Sequence, residues 1–382
     1  MARPKKKANT TAERVIQIAY IYWAYPTDLQ EYRMENWRGA LCVLYNGAIA
    51  ERKETYKVLG KSVTYSDQQN LLPKRKQTDP VLRHIYSQVL QDCLQRVDKA
   101  YQMFFDDLKR KKAGCAVKVG YPRMKKVAKY RSFTLPQVWM KDGKQTVEVV
   151  KLRCDADSKF GTIILPGIGL LKIRLHRPVP WSTAKTVTVE RTPTGQWFVS
   201  IAVQKELTPT VPDNGKFTGV DVGLINIIAT SDEHYRDHPK YIRQTEGKIK
   251  KAQKTLSLKK KGSANCRRQK VKLARLHAKV ASQRNDFLHK LSLWLVLSYA
   301  YIAFEKLHIS AMVKNPHLAK AVMDAGWGNA DTVCCLQECN AQGRQRDREG
   351  GPVLYESGLL RVRLQSAQDA CREDASVSSM RP

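Results

Sequence analysis

The chain lacks enough acidic residues to balance its basic ones: 35 Asp and Glu stand against 67 Lys and Arg, a formal charge of +32. Solubility needs far less, so the imbalance marks a polyanion binder. Also missing is any uninterrupted apolar run near the ~20 residues that cross a bilayer. The start, MARPKKKANT, is basic with no apolar stretch behind it. Nucleic acid is the expected polyanion, not a membrane, and a cytoplasmic, non-secreted protein is expected. Paired cysteines are absent as well. The nine are scattered at positions 42, 93, 115, 154, 266, 334, 335, 339 and 371. That odd, irregular set predicts reduced thiols and no disulfide framework. No histidine stands at metal-ligand spacing to them, and Cys334, Cys335 and Cys339 lack a second pair, so no zinc site is expected. Phosphate-loop, dinucleotide and serine-nucleophile patterns are missing too.

What is present is 382 residues with 42% hydrophobic side chains, enough for two or three folded domains. RVIQIAYIYWAY, residues 14–25, is β-branched and aromatic and predicts a strand. Trp37, Leu41, Leu44, Ala48 and Arg52 then share one helical face. Asp79 as N-cap and Pro80 at the first helical position open a second helix. Its stripe Val81, Ile85, Val89, Cys93, Val97, Tyr101, Phe104 and Leu108 predicts about seven or eight unbroken turns. From about 113 the texture is β. TIILPGIGLLKIRL and KTVTVERTPTGQWFVSIAVQ read as strands, with a turn at TPTG. TPTVPDNGK, residues 208–216, has linker composition. The expected class is thus mixed α+β and α/β. Residues 1–25 and 113–212 form a β-domain into which a helical segment, 26–112, is inserted, and a further domain spans 213–328.

Three patterns carry chemistry. GVDVGLINIIAT, residues 219–230, sets Asp221 inside an apolar run, where a buried carboxylate costs several kcal/mol, roughly, unless it finds a partner or a metal. Glu305 ends a second apolar strand, AYIAFE. If the two strands are neighbours, the carboxylates can converge on a hard divalent cation, for which magnesium is suited; acidic residues at strand ends are otherwise common. Residues 246–290 carry 15 Lys and Arg while Leu273, Leu276, Val280, Phe287 and Leu291 keep helical spacing. One face packs and the other repels itself unless a phosphate backbone lies along it. Lys259, Lys260, Lys261, Arg267, Arg268, Lys272, Arg275, Lys279 and Arg284 are the expected contacts. Residues 121–136 mix Arg123, Lys125, Lys126 and Arg131 with Tyr121, Tyr130 and Phe133, cations beside rings that could stack on bases.

GVDVGLINIIATSDE, KGSANCRRQKVKLARLHAKVASQRNDFLHKLS, IAFEKLHISAMVKN and LAKAVMDAGWG, with LYNGAIAERKETY and YRSFTLP upstream, together resemble the TnpB (OrfB) proteins of insertion sequences, over roughly residues 14–328. These are transposase-named relatives of type V CRISPR effectors. The resemblance implies an RNA-guided DNA endonuclease with a wedge-like β-barrel, a helical recognition insertion and a RuvC-type, RNase H-like domain. It implies that Asp221 and Glu305 are catalytic magnesium ligands. It also sets the basic helix against guide RNA and target DNA, whose sequence is read by pairing.

The match stops after DAGWG. The family continues with two CxxC pairs around zinc and a third catalytic aspartate, whereas this chain continues NADTVCCLQECNAQGRQ and has no lysine beyond Lys320. Residues 1–320 hold 60 of the 67 basic side chains and 26 of the 35 acidic ones, so the later segment is net acidic. A reading-frame slip near Asn329 would account for the change. YESGLLRVR, Tyr355 to Arg363, can be written in codons that spell TSQDCSGC one base on, which is the family's strand and first CxxC. On this reading residues 329–382 are an atypical, disordered tail. The RNase H-like domain is then incomplete, and cleavage is impaired or lost. Guided DNA binding without cleavage, or RNA binding alone, are the alternatives.

Overall fold

The computed structural model describes residues 15–142, 145–154, 158–206, 215–299, 301–304 and 309–326. Gln17–Lys205 forms one compact unit, and the chain from Glu206 belongs to a second.

The first unit opens with strand β1 (Val15–Tyr25) and helix α1 (Asp28–Leu59). A capping box between Thr27 and Gln30 starts α1, and Gly60, at φ +64°, ends it in the left-handed conformation. Trp37, Leu41, Leu44, Ala48 and Arg52 all face inward, as their spacing predicts. Short helices α2 (Tyr65–Asn70), α3 (Leu72–Thr78) and α4 (Pro80–His84) precede the long α5 (Ser87–Lys112). Asp79 caps α4 by accepting from the amides of Val81 and Leu82, at 2.8 and 3.3 Å. The single helix expected from Pro80 onward is in fact broken. Ile85 is extended, at φ −84° and ψ 133°, buried, and its carbonyl accepts from Lys76 Nζ at 3.1 Å. Val81, assigned to the apolar stripe, is exposed.

Strands β2 (Ser132–Leu135), β3 (Trp139–Asp142), β4 (Gln145–Glu148), β5 (Lys151–Cys154), β6 (Phe160–Leu165), β7 (Gly169–Arg174), β8 (Ala184–Arg191) and β9 (Trp197–Glu206) follow. β3 and β4 make a separate hairpin, and the rest join β1 in a sheet ordered β2-β8-β9-β1-β7-β6-β5. One sheet face packs with α1 and α5 in a common core that includes Tyr22, Leu41, Val97, Phe133, Ile163 and Ile201. The Trp37 and Phe133 rings meet edge to face at 5.5 Å. Gly167, at φ +79°, lies so close that a Cβ would stand 2.8 Å from the Trp37 ring.

In the second unit β10 (Phe217–Asp221), β11 (Asn226–Thr230) and β12 (Tyr235–Asp237) lead into helices α6 (Tyr241–Ser257) and α7 (Ala264–Ser298). β13 (Tyr301–Phe304), α8 (Ile309–Met312) and α9 (Ala319–Ala325) complete the described chain. The sheet runs β12-β11-β10-β13. Val220, Ile227, Ile228 and Ile302 pack against Leu291, Leu295 and Val296 of α7 and Val322 of α9. The basic stretch expected as one helix is two, turning at Lys259–Ser263, where Gly262 takes φ +86° and Ser263 caps α7. Of the described cysteines, 42, 93, 154 and 266 are free thiols.

Candidate active site and nucleic-acid interface

The burial of β10 alternates, with Thr218 and Val220 inward and Phe217, Gly219 and Asp221 outward. Asp221 is therefore exposed, contrary to the buried carboxylate expected from its apolar neighbours. The period of two puts it on the opposite face from Val220 and spares it desolvation. Gly223 lets the chain turn at once into β11, because a Cβ there would lie 2.8 Å from the Asn226 carbonyl oxygen. Among the described residues no hydrogen bond or ion pair takes the Asp221 carboxylate. Asp232, in the same motif, is used differently. The nearby Tyr299, Ser231 and Thr218 hydroxyls hold its carboxyl below the usual range, and Ser231 Oγ donates to it at 3.1 Å.

β10 and β13 lie side by side and parallel, with Phe217 beside Tyr301 and Val220 beside Phe304. Asp221 follows Val220 in sequence and Glu305 follows Phe304. Glu305 itself lies outside the described residues, as does the segment 329–382. Among the described residues no group of three His, Cys, Asp or Glu side chains gathers as metal ligands.

The basic hairpin has an inner and an outer face. Ile249 and Ala252 of α6 and Cys266 and Val280 of α7 are buried, and Gln269 Nε2 donates to the Ala252 carbonyl at 3.0 Å. Arg268, Lys272, Arg275 and Lys279 form an exposed stripe along α7, and Lys259, Lys260, Lys261 and Arg267 are exposed at the turn and the start of α7. No acidic residue occurs between Glu246 and Asp286. Arg284, expected on that surface, is instead half-buried. Its Nη1 donates to the Met323 carbonyl at 2.8 Å, and its side chain borders Gly326. It fastens the end of α9 to α7. At the start of α6 the Asp324 carboxylate accepts from the Ile242 amide at 3.2 Å, capping the helix from a distant part of the chain. Glu246 pairs with Lys250 and Lys320, which lower its carboxyl to about 2.

In the segment 121–131 the side chains of Arg123, Lys126 and Arg131 are exposed. Tyr130 is not available for stacking. It is buried, its hydroxyl donates to Cys93 Sγ at 3.4 Å, and burial pushes the phenol upward. Lys125 Nζ lies 4.5 Å from the centre of the Tyr45 ring and 5.7 Å from that of Tyr130. Three α1 residues that the sequence did not single out hold this segment by its backbone. Asn46 Oδ1 accepts from Lys125 N and its Nδ2 donates to Lys125 O, both at 2.8 Å. Cys42 Sγ donates to the same oxygen at 3.2 Å, and Arg38 Nε donates to Tyr130 O at 2.9 Å. Positions 38, 42 and 46 repeat every four residues, so one helical stripe makes all these bonds.

The fold is a mixed α and β one shared with a solved Cas12f1 chain. In the structure described as "Cryo-EM structure of the Cas12f1-sgRNA-target DNA complex", the similarity reaches a TM-score of 0.51 over 82% of this chain and 71% of that one, at 10% identity. The OrfB family model described as "Probable transposase" matches residues 198–316. Residues 16–61 match one described as "Helix-turn-helix domain", although here they form β1 and one unbroken helix. A Streptomyces pristinaespiralis protein is 31% identical over 82% of this chain and 72% of its own length. One from Escherichia coli (strain K12) is 28% identical over 81% and 74%. Both bear the name "Putative RNA-guided DNA endonuclease", the second with the suffix InsQ. The chain belongs to this OrfB (TnpB) family of insertion-sequence proteins. No helix among the described residues is long and apolar enough to cross a membrane.

Proposed function

We propose that this chain binds a guide RNA and the DNA paired with it, and that Asp221 with Glu305 is what it retains of a magnesium-dependent nuclease centre. The observation that carries the reading is the parallel pairing of β10 and β13, whose last paired residues, Val220 and Phe304, immediately precede the two carboxylates in sequence. The donors fit the metal in kind. Carboxylate oxygens are the ligands magnesium takes, and Asp221 is exposed, with no partner competing for it among the described residues. When bound, the ion would supply activation of water and stabilisation of the leaving oxygen in phosphodiester hydrolysis. The chain's own part is to hold the nucleic acid on the Arg268, Lys272, Arg275 and Lys279 stripe and beside Arg123 and Lys126. Those side chains contact phosphates and leave sequence to be read by base pairing.

Cleavage is impaired, because the sequence after 328 lacks the family's third aspartate, and a centre short of a ligand loses metal affinity. That same feature favours a second reading, a guided DNA-binding protein that occupies its target without cutting. Guide-matched duplex incubated with magnesium separates them. Slow cleavage abolished by Asp221→Ala, with binding unchanged, supports the nuclease remnant. No cleavage, and binding indifferent to Asp221→Ala, supports the second reading. Magnesium-dependent cleavage that survives Asp221→Ala would remove Asp221 from the centre.

A further inference from the structure

The face of the seven-stranded sheet that points away from α1 and α5 interleaves exposed rings with cations. Trp23 is 45% exposed, Tyr25 43% and Phe160 41%, large rings on one face of β1 and β6, the strands that flank β7. Their registers place cations between them. Trp23 stands beside Arg174, which stands beside Phe160, and one row on Tyr25 stands beside Lys172, which stands beside Thr162 and then Arg153. Lys172 Nζ lies 4.4 Å from the centre of the Phe160 ring, and the Arg174 guanidinium 5.9 Å from that of Trp23. The rings meet edge to face, Tyr25 with Phe160 at 5.9 Å and Trp23 with Phe198 at 6.1 Å, and among the described residues no ring lies stacked on them. Glu190, at the far side on β8, is the acidic group on this face among the described residues.

Exposed rings gathered on one face and rimmed by charged side chains are the kind of surface that takes a partner. Its alternation of ring and cation is complementary to a chain that alternates base and phosphate. A duplex keeps its base faces stacked inside, so the rings select an unpaired strand. An antiparallel sheet that offers aromatic faces is a recurrent platform for single-stranded RNA, and the Thr162 hydroxyl beside Lys172 could meet a ribose 2′-hydroxyl. We propose that the outer face of this sheet, centred on Trp23, Tyr25, Lys172 and Arg174, stacks unpaired RNA bases. It is a second nucleic-acid surface, separate from the α7 stripe, and its choice of RNA rests on the guide-RNA reading above.

The test uses the full chain in EDTA and a fluorescein-labelled 20-nucleotide oligouridine, read by anisotropy. Trp23→Ala with Tyr25→Ala should raise Kd at least tenfold with the salt dependence unchanged, because stacking is lost and charge is not. Trp23→Phe with Tyr25→Phe, which keeps ring faces, should stay within about threefold. Lys172→Gln with Arg174→Gln should weaken binding and reduce the slope of log K against log salt by about 1.4. Wild-type affinity in the double alanine variant overturns the proposal. So does equal or tighter binding of the matching oligodeoxythymidine, or a change in sedimentation of the alanine variant, which would make the face a contact between copies. A variant with Lys272, Arg275 and Lys279 changed to Gln is run in parallel against guide-matched duplex. If it loses duplex binding while the alanine variant keeps oligouridine, the sheet proposal fails and the guided-nuclease reading stands. If the wild-type chain binds neither ligand, both fail.

Discussion

At the scale of single residues, His238 is the clearest acid-sensitive group of the second unit. It is buried, and its Nδ1 accepts from the Lys240 amide at 2.9 Å, which requires the neutral ring. Burial lowers its pKa, the nearby Asp324 partly opposes this, and Lys240 reinforces it. An unfolded chain therefore binds this proton more readily than the folded one. The contribution is fully present above the ordinary histidine value of about 6.5 and falls as pH drops through and below it. Thermal unfolding of the second unit should shift to lower temperature between pH 7 and pH 5, and His238→Asn should flatten that shift. An unchanged pH profile in the variant would remove His238 from the account. The sequence showed Asp221 as the residue to watch, but not its exposure. An apolar run reports that a strand is buried on average, whereas the outward face of a sheet depends on what covers it. Tyr130 misled in the opposite way, since a ring among lysines reads as a stacking platform until the Cys93 and Tyr45 side chains that enclose it are known.

At the scale of elements, the α1 clamp is the feature composition could not reveal. Helical spacing identified the apolar face of α1, but the stripe of Arg38, Cys42 and Asn46 gains meaning only from a partner some 80 residues away. Asn46→Ala removes both bonds to the Lys125 backbone. It should cost about 1–3 kcal/mol in urea unfolding, the range for leaving such groups unsatisfied, and hasten trypsin cleavage after Lys125 and Lys126. Unaltered cleavage would show that the segment is held by other contacts. The two helix breaks were also illegible. The Val81–Ile85–Val89 spacing runs through the interruption at Ile85, because a kinked chain can bury Ile85 and Val89 as well as a straight one. The turn at Lys259–Ser263 was signalled only by Gly262 and the capping Ser263, inside a run whose charge drew attention away from them.

At the scale of the whole molecule, charge is the dominant property, and it is ordered, not diffuse. The exposed stripe of α7 is opposed by no acidic side chain between Glu246 and Asp286. Changing Lys272, Arg275 and Lys279 to Gln should reduce the slope of log K against log salt for guide-matched duplex by about 2–3. Thermal stability should stay within about 0.5 kcal/mol of wild type, as for exposed substitutions. A slope unchanged by the three substitutions would place the nucleic acid elsewhere. Fold class and family were legible because both follow from patterns that survive divergence: the alternation in strands, the helical stripes and the spacing around Asp221.

The bonds that Asp324 makes to the first turn of α6, and Arg284 to the last turn of α9, bear on how short a working version of this protein can be. A polypeptide stopped before position 324 would leave the first turn of α6 without that cap and Arg284 without its carbonyl. The basic hairpin would then fray from its sheet-proximal end, although every cation on it remained. Trimming intended only to discard the acidic tail should therefore stop after Gly326.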